Sequence, residues 1–109
     1  MNIFGNRLQS CSMDPLTGFR RNGFCDLNEQ DHGTHTVCAI LTEPFLQFTR
    51  SRGNNLRGLR AGDKWCLCAL RWLEAYEAGV APFVIGDATH LGSLRYIPRE
   101  IIVKYLLDI

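Results

Sequence analysis

The stretch "GDKWCLCALRW" (62–72) places two soft nucleophiles, Cys66 and Cys68, one residue apart. Alternation along a strand would turn both thiols to one face and Trp65 and Leu67 to the other. The strand rise then separates the two Cα atoms by roughly 6.5–7 Å. That is too long for a relaxed disulfide, but two thiolates so placed can flank one zinc if other elements complete its shell. Cys25, Cys38, His35 and His90 are available to do so, and a metal set would centre on Cys66, Cys68 and His90. Against this, the chain has no Cys-x-x-Cys knuckle and no Cys…His finger spacing. Free cysteine also packs readily as a small buried hydrophobe. A metal is therefore not favoured, and zinc is kept as the alternative cofactor.

Nucleophilic catalysis is the second chemistry these residues could perform. A reactive thiolate needs a nearby cation, a base or a helix N-terminus. Cys68 meets that need best, because it sits where a strand feeds a helix beside Arg71. His90 is a candidate base brought in by the fold, and His35 is the third catalytic candidate. His35 and Cys38 are an odd number of residues apart, which sets them on opposite faces of a strand.

Binding without chemistry is the third. Ten of the twelve basic residues are arginine, the side chain suited to planar, bidentate contact with carboxylate or phosphate. Arg50, Arg52, Arg57 and Arg60 lie at the end of a helix and in the loop after it, where cations collect at the carbonyl end of the dipole. Arg71 is different, since it stands at a helix start. A carboxylate such as Asp31 or Asp63 would account for it structurally, and an anionic ligand would account for it functionally. The candidate ligand-binding set is Arg21, Asp31, Arg71, Trp72 and Thr89. Aspartates beside Gly, Pro or Ala usually cap turns. No phosphate loop, dinucleotide fingerprint or Gly-x-Ser-x-Gly elbow occurs, which sets aside nucleotide hydrolysis, hydride transfer and serine-hydrolase chemistry.

Positioning these residues requires a small set of elements. Asn22-Gly23 predicts a type I′ hairpin within 17–26. "THTVCAILT" (34–42) reads as an internal strand. Thr42 is placed to cap a helix with Glu43 and Pro44 in its first turn and Gly53 at its stop. A loop over 53–63 leads to the strand "KWCLCA" and the helix "LRWLEAYEAG", which ends at Gly79. "FVIGDA" (83–88) reads as a further strand, Thr89 as the cap of a short turn through Arg95, and Pro98 as the start of a last helix. Short strands mixed irregularly with helices predict an α+β fold: a single small domain, residues 1–109, with a short, partly antiparallel sheet and three to four packed helices.

Length and composition fit this picture. A chain of 109 residues, 46% hydrophobic and 21% charged, can bury a core without staples. A net charge of +1 supplies no general attraction to nucleic acid or anionic membrane, so neither is expected as a partner. No run approaches the ~18 apolar residues of a membrane span. The start "MNIFGNRLQS" lacks an apolar signal-peptide region. Five cysteines, an odd number, in such a chain lead to an expectation of reduced thiols and a cytoplasmic location.

Several stretches together resemble a known family: "CSMDPLTGF" with Arg21, Gly23 and Cys25; "DHGTHTVCA"; "GDKWCLCALRWLEAYEAGVAP"; and "DATH". The resemblance runs over nearly the whole chain and is to the uncharacterised family known as domain of unknown function 2237. It implies the same fold and brings no substrate, cofactor or reaction. His32 is outside the family pattern, so His32 and His35 are not read as a ligand pair. Relatives carry a longer, Pro-containing insertion between the positions of Leu56 and Arg57, so the loop is shortened or incomplete here. The expected site lies where 65–71 meets 31–38 and Thr89-His90. The expected function is a small anionic-ligand-binding protein or a small enzyme with a Cys/His/Arg pocket. The alternative is a zinc-stabilised, non-catalytic interaction module.

Overall fold

Strand β1 (His35–Ile40) is the centre of a three-stranded antiparallel sheet in the order β2-β1-β3, with β2 at Lys64–Cys68 and β3 at Phe83–Val84. This is seen in a computed structural model that describes residues 1–108. Helix α1 (Glu43–Ser51) joins β1 to β2, and helix α2 (Ala69–Glu77) follows β2 directly. Single 3-10 turns at Gly86–Ala88 and Leu91–Arg95 lead to the short helix α3 (Arg99–Ile102). The architecture is the α+β arrangement the sequence implies, with three α-helices on a small sheet.

Local signals explain most element ends. The Thr42 hydroxyl accepts from the Phe45 N–H at 3.3 Å and satisfies one orphan donor of α1. Gly79 takes φ +78° just past α2, the left-handed stop that a Cβ penalises. Three expectations differ from the structure. Segment 17–26 forms no hairpin: Arg21, at φ 55°, and Gly23 turn the chain, while Asn22 lacks the positive φ a type I′ turn demands. The strand at 83–88 stops at Val84, because the backbone turns at Gly86. There a Cβ would stand 2.6 Å from Cζ of Phe4. The turn over 91–95 is capped by His90, whose Nδ1 accepts from the Gly92 N–H at 2.9 Å, rather than by Thr89.

The two faces of the sheet bury different chemistry. Val37, Ala39 and Leu67 pack with Phe45, Leu46, Trp72, Ala75, Ile97 and Ile102 in the main core. Trp72 is fully buried there, with its Nε1–H donated to the Pro82 carbonyl at 3.0 Å and the Tyr105 ring edge-on at 5.2 Å. The opposite face carries Cys38 and Cys66, directly across from one another on β1 and β2. Residues 1–34, an arm without helix or ladder strand, bring Cys11 and Cys25 to that face.

Two disulfides close this second cluster, Cys11–Cys38 and Cys25–Cys66, and only Cys68 remains a free thiol. The expectation of reduced cysteines is therefore corrected. It rested on an odd count, whereas pairing follows from which thiols the fold brings face to face. The odd cysteine is the one left over.

Candidate active site

A cleft of about 890 Å³ opens along the free edge of β2. Its floor is Trp65–Cys68, and its walls are the arm (Gly18, Phe19, Arg21), Gly33 with His35, the loop residues Asn54–Arg57, and Arg71 at the start of α2. Several independent segments meet here because β2 ends where α2 begins and the arm is tied to the same strand through Cys66.

Cys68 is partly exposed and occupies the N-cap position of α2. The orphan N–H groups of a helix's first turn favour an anion placed beside them. Across β1 its partner is His35. The register that pairs Val37 with Leu67 and Cys38 with Cys66 would set Thr36 opposite Cys68, but a bulge between His35 and Val37 brings His35 there instead. An extra residue resets the alternation of side chains. His35 thus joins the thiol face of the sheet, the face that its odd spacing from Cys38 denies it in a regular strand.

The His35 ring is held from behind. Its Nδ1 lies 2.7 Å from Oδ1 of Asp31, which leaves Nε2 for the cleft. The Asp31 side chain is 2% exposed and also accepts from the backbone N–H of Gly33 at 3.2 Å and of His35 at 2.8 Å. A carboxylate with three donors is fixed in place, and so is the ring it orients. Gly33 lies flat against the ring: a Cβ there would sit 2.5 Å from Cε1 of His35.

The electrostatics of the cleft are one-sided. Arg21, Arg57 and Arg71 line it, and no carboxylate does among the described residues. The Arg21 guanidinium lies 5.1 Å from the Trp65 ring centroid and donates to the Gly18 carbonyl. Arg71 is partnered by Glu74 at 3.3 Å, on its own helix, and by the Arg52 carbonyl at 3.2 Å. Its carboxylate partner is therefore neither Asp31 nor Asp63. Asp63 accepts from the Arg60 N–H and caps a turn.

Of the residues singled out from sequence, the cleft gathers Cys68, His35, Arg21 and Arg71, with Asp31 behind His35. Trp72 lies in the core instead. The Thr89 hydroxyl is buried and accepts from the Cys38 N–H at 3.0 Å. His90 lines a separate hollow of about 450 Å³ with Met1, Leu27 and Leu94. Burial and then the Met1 ammonium lower its pKa below 6.5, opposed by Asp26. Cys66, Cys68 and His90 thus form no common ligand set. The sulfurs of Cys11, Cys25 and Cys38 all lie within 4.8 Å of one another, the spacing of a metal-ligand group, but in this state all three are bonded in disulfides. Sequence reasoning gave Gly33 no role of its own and left Asn54 and Asn55 out of the site. The signal it could have used is the spacing Asp31-x-Gly33-x-His35, a turn that folds a carboxylate back onto a ring.

Fold and cleft define a small, disulfide-crosslinked α+β protein in which an aspartate-held histidine and a free thiol occupy opposite positions of the β1–β2 ladder and line one cleft. The family model described as "Uncharacterized protein conserved in bacteria (DUF2237)" matches residues 1–106, and the chain belongs to that family. No curated protein matches it. No helix among the described residues is long and apolar enough to cross a membrane.

Proposed function

We propose that this protein is a small thiol enzyme that cleaves an activated acyl group from an anionic small molecule. The observation that carries this reading is the Asp31–His35 pair, held across the β1–β2 ladder from the one free thiol, in a cleft lined by arginines. Nucleophile, base and orienting group in sequence are the parts covalent acyl transfer needs.

In the first half-reaction the Cys68 proton passes to Nε2 of His35 as sulfur attacks the acyl carbon. The carbonyl re-forms, the bond to the leaving group breaks, and the leaving group takes that proton from His35. In the second, water gives a proton to His35 and its oxygen adds to the thioester carbon. The carbon–sulfur bond breaks, Cys68 recovers the proton and a carboxylic acid leaves. Asp31 holds the ring's tautomer and steadies the imidazolium. Arg21 and Arg57, which form no ion pair among the described residues, supply the cationic wall for the substrate's carboxylate or phosphate.

The test uses the disulfide-intact protein with aryl esters bearing either a carboxylate or a neutral tail, alongside iodoacetamide labelling mapped by mass spectrometry. Cys68 should alkylate faster than a model-peptide cysteine, and the anionic ester should turn over faster than the neutral one. Replacing His35→Gln should lower kcat/KM by about 10²–10⁴, the usual worth of a positioned general base. A Cys68 no faster than the peptide and indifferent to His35→Gln would overturn the enzyme. Saturable binding of the anion without a covalent adduct would leave an anion-binding protein.

A further inference from the structure

The four paired cysteines form a single knot. The sulfurs of Cys11, Cys25 and Cys38 lie within 4.8 Å of one another, and Cys66 is bonded to Cys25 and stands opposite Cys38 in the ladder. All four residues are buried, at 5%, 0%, 0% and 2% exposure in chain order, with Ala88 and Ile85 packed around them. We propose that this knot is a redox-gated metal site, which takes one zinc-class cation as a tetrathiolate once a dithiol has reduced both disulfides.

The geometry is close to what such a site needs. Zinc–thiolate bonds of about 2.3 Å in a tetrahedron put neighbouring sulfurs about 3.8 Å apart. Three of the sulfurs already lie within 4.8 Å of one another, the fourth, on Cys66, is bonded to that of Cys25, and once reduced each bonded pair has only to part by side-chain rotation. Two of the four ligands sit on paired strands, whose ladder fixes their separation in either redox state. The other two come from the arm, which supplies the adaptable half. An all-sulfur donor set, largely buried, selects soft or borderline cations over calcium or magnesium. Cys66 also lines the cleft, which provides a route in for reductant and metal.

The chemistry balances. Each disulfide takes two electrons and two protons from one dithiol, which leaves as a cyclic disulfide, and two thiols form. Binding of the divalent cation then releases thiol protons without any change in its oxidation state. The oxidised knot cannot ligate in this way, because its sulfurs are spent on one another. Cys68 and His90 take no part, so this inference and the thiol enzyme stand or fall separately.

The experiment reduces the protein under argon with a water-soluble phosphine, each disulfide consuming one phosphine and one water, and then titrates with cobalt(II). The expected result is one cobalt per chain with the intense visible bands of a tetrahedral tetrathiolate, displaced by one equivalent of zinc. Zinc-loaded protein should show one reactive thiol, and chelation should expose four more. Cys68→Ser should bind cobalt as the parent does. Cys38→Ser should bind it more than about a hundredfold more weakly, beyond the 10–100-fold that loss of an outer partner costs. If the reduced chain unfolds, zinc should restore its native circular dichroism. Octahedral cobalt, no cobalt, cobalt bound without recovery of the fold, or binding lost in Cys68→Ser would each overturn the site.

Discussion

Asp31 shows how one carboxylate organises a turn and a site together. Its oxygens take the N–H groups of Gly33 and His35 as well as the His35 ring, so backbone and imidazole are set by the same group. Gly33 completes the seat, and its backbone is not in the positive-φ region. Alanine is therefore conformationally allowed there, and only the ring objects. Gly33→Ala should slow alkylation of Cys68 severalfold by pushing His35 aside, while urea unfolding shifts by less than about 1 kcal/mol, as at other half-exposed positions. His90 offers a second residue-scale test. Its pKa is lowered in the fold by burial first, so the unfolded chain binds the extra proton. Its contribution to stability is complete above 6.5 and is lost as pH falls through the lower folded value. Melting temperatures between pH 7.5 and 5 should drop less for His90→Asn, which keeps a capping side chain without the titration.

At the scale of elements, the bulge in β1 decides where the chemistry is. A regular strand would give the position opposite Cys68 to Thr36, whose hydroxyl instead pairs with Ser93 at 2.7 Å. Period-two reasoning is sound for Val37–Ile40 and fails at His35, because a bulge leaves no mark in hydrophobic alternation. Helix α1, by contrast, is legible down to its cap, since Thr42, Pro44 and Gly53 each act within one turn of themselves. Thr42→Ala should cost about 1 kcal/mol by chemical denaturation and leave Cys68 reactivity unchanged. The Asn22-Gly23 signal misled for the opposite reason. A hairpin needs two strands to join, and Cys11 and Cys25 are instead drawn down to the sheet, which leaves Arg21 to take the left-handed turn.

For the molecule as a whole, the cross-links connect an arm with no helix or ladder strand of its own to the sheet that carries the site. The separations of 27 and 41 residues correspond to about 3.5 and 4 kcal/mol of loop entropy taken singly, and to less than their sum because the loops overlap. The double substitution Cys25→Ala/Cys66→Ala should therefore lower the free energy of unfolding by about 2–5 kcal/mol and loosen the wall formed by Gly18, Phe19 and Arg21. Legibility in the sequence falls with contact range. The helices and the two long strands were readable because local rules govern them. The clustering of Cys68, His35, Arg21 and Arg71 was readable as a list of residues, though not as a geometry. The disulfides were not readable, because five cysteines admit fifteen ways of forming two bonds and the fold chooses among them.

The chosen pairing has a further consequence for how the chain comes together. In order along the chain, the first cysteine joins the third and the second joins the fourth, so the two loops interleave. Neither bond links neighbours, although Cys11–Cys25 would close a shorter loop than either and form sooner in a chain exploring at random. Cys38 and Cys66 even face each other in the finished ladder, so the sheet alone would invite the wrong bond. The correct one requires the arm to be seated before oxidation, and chains oxidised too early must reshuffle, on the slow clock of thiol exchange.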